Sequence, residues 1–507
     1  MKARAIAILG TGSDVGKSVI AAGICRILSR SGIRVAPFKA QNMSNNSFVT
    51  PYGKEIARAQ ALQAQACGIE PHEDMNPILL KPESDRKSQV VVQGKVWMAA
   101  DAQDYFRRHE EMALRVRESY GRLAERYEVT VIEGAGSACE MNLRDRDLAN
   151  WFSVEMADAR VILVADIDRG GVFAQVIGTM DLLSERERQR VAGIVINKFR
   201  GDQELFADGV SFIEERTGIP VAGVVPFLRN LILEEEDSVR VGRHRLLSFQ
   251  GGKVNVAVIL LPRMSNFSDF TQLAEEDDVI LKYAESPQDA VGADVVVIPG
   301  TKNTIEDLLY LRQAGFENIL REHAASNKEL VGICGGYQML GRTIADPYGV
   351  EAGGCHEGLA LLDAATTLLT NKVTRLVEAE PINRESESGV IVRGYRIHMG
   401  ETIRGADRPA FHVRQSVCGN SDNHELVLEG AMSSDGLVWG SYIHGLFDQP
   451  GYRRQWLNSI RRRKGLSEIA SAQSEALRSR MDQEIDRWAN HLLRHVDLDR
   501  MTAHPIL

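Results

Sequence analysis

Residues 4–18 read RAIAILGTGSDVGKS, an apolar run that breaks into a glycine-rich loop and then enters a helix. A loop of this kind, set between a strand and a helix, cradles phosphate with successive backbone N–H groups and the positive end of the helix. Gly12, Asp14 and Gly16 lie in the loop, Lys17 is placed to neutralise phosphate charge, and Ser18 offers a hydroxyl to Mg²⁺. The strict P-loop spacing would put glycine at 11, where Thr11 stands, so the match is to a variant with one more residue between Gly10 and Gly16. After Lys17, apolar residues recur at Ile20, Ile24, Ile27 and Leu28, one face of a helix, and Gly32 falls where a C-terminal cap belongs.

Outward from this stretch, short Val- and Ile-rich runs lie at 4–9, 34–38, 129–132, 160–165, 192–196 and 220–225. The intervals between them are long enough for crossover helices. This predicts an α/β unit: a mostly parallel sheet with helices on both faces. The segment VGRHRLLSFQGGKVNV, with charges and paired glycines ahead of a fresh strand, reads as a seam near 250. A second α/β series follows, with DVVVIPG at 294–300, ELVGICGG at 329–336 and a β-rich stretch ending in GLVWGSYIHG at 436–445. The expected organisation is an ATP-using unit at 1–250, a second α/β unit at 251–448 and a helical extension at 449–507.

Composition narrows the class. A chain of 507 residues is too long for one ordinary core, and 44% hydrophobic with 25% charged residues is ordinary for a globular protein. A net charge of -9 argues against a nucleic-acid surface. Six scattered cysteines (25, 67, 139, 334, 355, 418) form no C-x-x-C pair, so neither a disulfide framework nor a structural zinc site is expected. No signal peptide and no membrane-length apolar run is seen, and a soluble cytoplasmic protein is expected.

GICGG at 332–336 sets Cys334 at a strand-to-helix turn flanked by glycines, as a nucleophile elbow requires. The helix N-terminus favours a thiolate there. The Gly335 N–H is one oxyanion donor, and the loop PGTKN at 299–303 offers a second from Gly300 or Thr301. His444, ending the strand-like WGSYIHG, is the candidate base.

In the first half, Glu133 ends the strand of VIEGAG and is a candidate Mg²⁺ partner, the alternative being a solvated loop acid. Lys39, at the end of VAPFKAQN, can reach phosphate from a neighbouring strand or be a surface lysine. Asp166 and Asp168, in ADIDRGG, can serve metal or substrate or cap a helix. An ammonia-releasing site and a phosphate site make sense together. ATP converts a carboxylate into an acyl phosphate that ammonia attacks, a step needing positioning and charge neutralisation rather than a protein nucleophile.

Residues 251–448 resemble the class I glutamine amidotransferase domain, whose members carry a G-x-C-x-G elbow and a His followed two residues later by Glu. Cys334 and His444 match, but position 446 is Leu, so the carboxylate that usually orients the histidine is missing or comes from elsewhere; Asp448 is the nearest in sequence. The P-loop variant resembles that of dethiobiotin synthetase-like proteins, and INKFRGD at 196–202 is similar to their nucleotide-base contact, implying such a role for Asn197.

Across nearly the whole chain, PFKAQNMSNNS (37–47), MNPILLKP (75–82), NLRDRDLAN (142–150), VADIDRGGVFA (164–174), IPGTKNT (298–304), GICGGYQMLG (332–341), IHMGET (397–402) and HGLFD (444–448) resemble the cobyric acid synthase family of cobalamin biosynthesis. That family also lacks the usual Glu. The resemblance implies ATP, Mg²⁺ and L-glutamine as reactants or cofactors. It also implies a corrinoid polycarboxylate, adenosylcobyrinic acid a,c-diamide, amidated at its b, d, e and g carboxylates. NMSNNS and NLRDRD offer amide, hydroxyl and guanidinium groups to such a substrate, with Asn42, Ser44, Asn45, Arg144 and Arg146 as candidates. For the two arginines, local salt bridges to Asp145 or Asp147 are the alternative.

Two other readings stand beside this one. Cobyrinic acid a,c-diamide synthase shares the two-part logic, and a MinD-like ATPase switch shares the first half. A switch predicts a terminal membrane helix. The tail is amphipathic through Leu477, Ile485, Trp488 and Leu492, but its mixture of acids and bases favours docking on the protein itself.

Overall fold

The computed structural model describes residues 3–83, 87–229, 231, 233, 247–382, 390–417, 420–470 and 477–498. Cys418 and the 241–246 part of the seam lie outside these residues.

The apolar runs of the first half form one six-stranded parallel sheet. Its order is Val221–Pro226, Val191–Phe199, Arg160–Asp166, Arg4–Gly10, Val129–Glu133, Val35–Phe38. The chain runs from Arg4–Gly10 to the strands Val35–Phe38 and Val129–Glu133 on one side of it and then crosses to Arg160–Asp166 on the other, so the glycine loop sits at a topological switch point, where such sheets bind ligands. The helix Lys17–Arg30 follows, burying Ile20, Ile24, Ile27 and Leu28. Gly32 closes it at φ +80, with its N–H on the Ser29 carbonyl at 3.0 Å and the Ile33 N–H on that of Leu28 at 3.1 Å. This is the left-handed glycine cap expected there.

Between this sheet's strands the chain makes an excursion that periodicity did not reveal. Gln41–Met43, Ile78–Pro82, Lys87–Val92 and Lys95–Asp101 form a four-stranded sheet, and Ser47–Val49 pairs with Glu55–Ala57. The excursion reaches the second half of the chain, as described below.

That half holds a sheet ordered Val279–Ala284, Val254–Ile259, Val295–Ile298, Glu329–Ile333, Val438–Ser441, Ala431–Met432, parallel except for the last pair. A second, largely antiparallel sheet contains Ala364–Pro381, Val392–Arg404 and Ile443–His444. The expected extension contributes to both halves. Tyr452, Trp456, Leu457 and Ile460 of the helix Pro450–Arg463 enter the core of the second half. The helix Leu477–His495 instead packs on the P-loop helix, where Trp488 Nε1 donates to the Val19 carbonyl at 2.6 Å and Arg26 pairs with Asp482 at 2.6 Å. Ile485, Trp488 and Leu492 are buried there, each worth about 1.5–3 kcal/mol of apolar burial; the side chain of Leu477 lies outside the described residues. No helix among the described residues is long and apolar enough to cross a membrane.

Candidate functional site

Cys334 stands between the strand Glu329–Ile333 and the helix Gly335–Leu340 with φ 52 and ψ -108, a conformation costly for a side-chain-bearing residue. The turn closes only because its neighbours are glycines. A Cβ on Gly336 would lie 2.0 Å from the Ile298 carbonyl oxygen, and one on Gly332 would lie 2.7 Å from that of Gly336. The Cys334 N–H bonds the Ser441 carbonyl at 2.8 Å, and its sulfur lies 3.3 Å from the Ile397 carbonyl oxygen. The loop after Val295–Ile298 presses on the elbow. A Cβ on Gly300 would lie 3.6 Å from Cys334 Cβ and 3.2 Å from His444 Cε1, and one on Gly335 would lie 2.6 Å from Thr301 Cγ2. Gly300, Thr301, Gly335, Cys334 and His444 are therefore gathered at one point. Thr301 is fixed by Oγ1 hydrogen bonds to the Arg263 carbonyl at 3.1 Å and Asp307 at 2.5 Å.

The carboxylate facing His444 is Asp269. Its Oδ2 lies 2.7 Å from His444 Nδ1, and its Oδ1 accepts the Gly445 N–H at 3.0 Å. Asp448 has another place, 3.9 Å from Arg58. Leu446 points into the core at 2% exposure. The His444 ring is buried and stacks on Tyr395 at 5.3 Å and 18°. Burial alone would push the imidazole down, but the Asp269 charge and hydrogen bond, with the Cys334 sulfur, raise it to about 10. His444 thus carries a proton at neutral pH, poised for a leaving nitrogen beside a sulfur nucleophile. Nothing in the local sequence marks Asp269. Its only signal is a place in the 266–270 segment, which follows a core strand as the PGTKN loop does.

The first half of the chain touches this site. Asn266 Nδ2 lies 3.1 and 3.2 Å from the two His444 ring nitrogens, and its Oδ1 accepts the Ser47 N–H at 3.2 Å. Asn46 Oδ1 accepts the Phe267 N–H at 2.8 Å, and Tyr395 donates to the Ser47 carbonyl at 3.3 Å.

At the P-loop, Gly16 adopts φ +99, and a Cβ there would lie 2.3 Å from Asn197 Nδ2. Asn197 donates to the Val15 carbonyl at 2.9 Å, bracing the loop. Lys17 Nζ donates to the carbonyls of Gly12 at 2.9 Å and Gly136 at 2.8 Å. Asp14 pairs with Arg169 at 3.1 Å on the outer side of the loop, and a Cβ on Gly12 would meet nothing within 4 Å. Glu133 is fully buried, not a solvated loop acid, and Lys39 is buried, not a surface lysine. Their ion pair spans 2.8 Å, and Glu133 also accepts from Ser18 Oγ at 2.7 Å and Gln63 at 2.5 Å. A carboxylate joined to the P-loop hydroxyl fits Mg²⁺: both are hard oxygen donors, and this ion takes few protein ligands beside phosphate and water. No cluster of three or more His, Cys, Asp or Glu suited to a metal occurs among the described residues.

The remaining candidates are spread over the excursion, the loop after Val129–Glu133 and the end of Arg160–Asp166. Asn42 donates to Gln60 at 3.1 Å, and Gln60 reaches Glu133 at 3.3 Å. Ser44 Oγ accepts the Asn46 N–H at 3.0 Å. Asn45 Oδ1 is buried with no hydrogen-bond partner among the described residues. Arg144 pairs with Glu187, and Arg146 lies over the Phe106 ring at 4.8 Å, while Asp147 caps the next helix through the N–H groups of 149–151. Asp166 pairs with Lys198 at 3.1 Å and Asp168 with Arg200 at 2.6 Å.

Two family models match the chain. Residues 6–240 match the family model described as the CobQ/CobB/MinD/ParA nucleotide binding domain, and residues 255–452 match the CobB/CobQ-like glutamine amidotransferase domain. The chain is 46% identical to a cobyric acid synthase of Syntrophobacter fumaroxidans, over 99% of this chain and 98% of the relative. It is 45% identical to one from Citrobacter koseri and one from Klebsiella pneumoniae, over 98% of this chain and 97% of each.

Proposed function

We propose the reaction from one premise: the chain belongs to the cobyric acid synthase family. It is a glutamine-dependent amide ligase. Its substrate is adenosylcobyrinic acid a,c-diamide, whose b, d, e and g carboxylates it amidates, each with one ATP and one glutamine. The observation that carries this is the joining, in one chain, of a phosphate loop and a buried Cys334–His444–Asp269 site through residues 42–47.

Glutamine is opened first. Cys334 sulfur attacks the side-chain carbonyl carbon, with the developing oxyanion received by N–H groups of Gly335 and of Gly300 or Thr301. The C–N bond breaks as His444 gives its proton to the nitrogen, releasing ammonia and leaving a thioester on Cys334. Water, deprotonated by His444, then releases glutamate. Asp269 holds the ring so that one nitrogen faces the sulfur throughout.

At the other site the substrate carboxylate attacks the γ-phosphorus of ATP, the bond to the β,γ-bridging oxygen breaks, and ADP leaves. Lys17 and Lys39 offset the charge on the transferring phosphoryl group. Ser18 and Glu133 would hold Mg²⁺, which when bound neutralises phosphate charge. Ammonia attacks the resulting acyl phosphate, phosphate leaves, and the amide remains. Asn197 and Gly16 keep the loop in shape, and Gly12 and Asp14 line it. Asn42, Ser44, Asn45, Arg144 and Arg146 are assigned to the polar rim of the corrinoid; Asn45 Oδ1, buried without a hydrogen-bond partner among the described residues, supports this best.

The test compares wild type and Cys334→Ala with glutamine or ammonium chloride as nitrogen source. The variant is expected to lose glutamine-dependent amidation and keep the ammonium-dependent reaction. Glutamine use by Cys334→Ala would remove Cys334 from the role. Amidation confined to positions a and c would instead make the chain a cobyrinic acid a,c-diamide synthase.

A further inference from the structure

One buried carboxylate beside the glutamine site has no part in the chemistry above. Asp307, in the first turn of the helix Thr304–Gln313, is fully buried. Its Oδ2 accepts two hydrogen bonds, from the Thr301 hydroxyl at 2.5 Å and from the Arg263 N–H at 3.2 Å. Its Oδ1 is buried with no hydrogen-bond partner among the described residues. Burial raises Asp307 to about 6, against the Thr301 and Arg263 bonds and the Arg263 charge, with Glu306 pushing the same way as burial. At neutral pH it is therefore an anion that only accepts. The Arg263 guanidinium pairs not with it but with Glu306, at 2.9 Å.

A half-satisfied buried charge is a poor device for fastening a helix end. A buried acceptor left without a partner costs about 1–3 kcal/mol, and more when it is charged. A neutral acceptor of similar size would take the same two donors without that cost. What the charge adds is strength in two particular bonds, since hydrogen bonds to an ionised acceptor are about twice as strong as neutral ones.

The two donors belong to two segments that lie side by side. The Ser265 N–H bonds the Gly300 carbonyl at 2.8 Å, the Lys302 N–H bonds that of Arg263 at 3.0 Å, and Met264 bridges to Thr301. The 299–303 loop supplies the oxyanion donors, and a Cβ on Gly335 would lie 3.3 Å from the Thr301 nitrogen. Residues 263–265 run directly into the turn that bears Asn266 and Asp269, the residues facing His444. One oxygen of Asp307 thus grips both segments. Resting on the glutamine reading above, we infer that Asp307 is a positioning residue for glutamine hydrolysis, which sets the oxyanion donors at 300–301 against the Asp269-held ring of His444 without touching glutamine. A misplacement of about 1 Å in such a constellation costs about 10²-fold in rate. The oxyanion forms only as the sulfur attacks, so the loss falls on kcat and leaves KM in place.

The experiment measures glutamate release by the full chain, per active site counted through alkylation of Cys334, for Asp307→Ala, Thr301→Val and the double variant. Asp307→Ala is expected to lower kcat about 10- to 100-fold with the glutamine KM within about twofold of wild type. Asp307→Asn, which keeps an accepting oxygen without the charge, is expected to fall between the two. Thr301→Val keeps the oxyanion N–H and removes only the hydroxyl that Asp307 holds, so the double variant is expected to be no slower than Asp307→Ala alone. An unchanged kcat in Asp307→Ala overturns the inference. So does a raised KM at unchanged kcat, which would place Asp307 on glutamine itself, and so do losses that multiply in the double variant. Should Asp307→Ala not fold, Thr301→Val carries the same split between kcat and KM. If Cys334→Ala still releases glutamate, the reading of the glutamine site fails rather than the role of Asp307.

Discussion

Asp269→Asn is the most informative single change at the glutamine site. It keeps the shape and removes the charge that faces His444 Nδ1 at 2.7 Å, both side chains being at most 5% exposed. A charge pair about 4 Å apart in an effective dielectric of about 20 is worth about 4 kcal/mol. At 1.36 kcal/mol per unit, that is about 3 units of pKa. Burial, no longer opposed, pulls the same way. His444, now raised to about 10, is therefore expected to fall to about 7 or below. Two readouts follow. The alkaline limb of glutamine hydrolysis moves from near pH 10 toward neutrality, and the rate at pH 7–8 drops about 10²- to 10⁴-fold with the loss of an oriented acid–base group. Ammonium-dependent amidation, which bypasses Cys334, stays at the wild-type rate. The stability sign is also set. A histidine raised in the folded state stabilises fully below its ordinary pKa and loses that contribution as pH climbs through about 10, so the stability gap between wild type and variant should close from pH 7 to pH 10. The assay is glutamate release across pH 6–10. A variant within about threefold of wild type, with the same alkaline limb, would refute Asp269 as the group that holds the ring.

Two further outcomes test the other half of the chain. Lys17→Ala should abolish amide formation from both nitrogen sources while glutamate is still released, because the lost charge acts on phosphate alone; product analysis with each nitrogen source reads this directly. Trp488→Ala, which deletes a buried ring and its 2.6 Å bond to the Val19 carbonyl, should cost about 3–5 kcal/mol in urea unfolding of the first half, and a loss under about 1 kcal/mol would mean that the C-terminal helix only rests on the P-loop helix.

Much of the architecture was legible because it is written in continuous apolar runs. Strands such as 160–165 and 192–196 are buried on both faces, so they read as blocks of Val and Ile whatever their partners. The Gly32 cap and the glycine-flanked Cys334 were legible for a related reason: each answers a steric demand that a few adjacent residues reveal. The excursion strands were not. Gln41–Met43 and Ser47–Val49 are three residues each, too short to show a period; the first is a strand because it pairs with Ile78–Pro82, and the second because it closes a short hairpin with Glu55–Ala57. Asp269 was missed for the same kind of reason. It meets His444 across 175 residues, and no spacing rule connects them. The places of Lys39 and Glu133 were half visible: their strand-end positions could be read, but not that both are buried and paired with each other beside Ser18.

The absence of a carboxylate at 446 now has a physical account. Leu446 is held in the core beside Phe447, and a Glu there would be buried among apolar groups with the His444 Nδ1 position already taken by Asp269. Moving the acid to 269 also changes what the ring depends on. Asp269 shares a short turn with Asn266 and Phe267, and both of these are bonded by Ser47 and Asn46 from the other half of the chain. A ring held from 446 would be set within its own half. Held from 269, it is set by a turn that residues 46 and 47 grip, while Asn42, four residues earlier, leads through Gln60 to the carboxylate bonded to the P-loop serine. The contact between the halves is thus part of what makes His444 a working acid and base, and damage to it should be felt first in glutamine hydrolysis and last in the use of free ammonia.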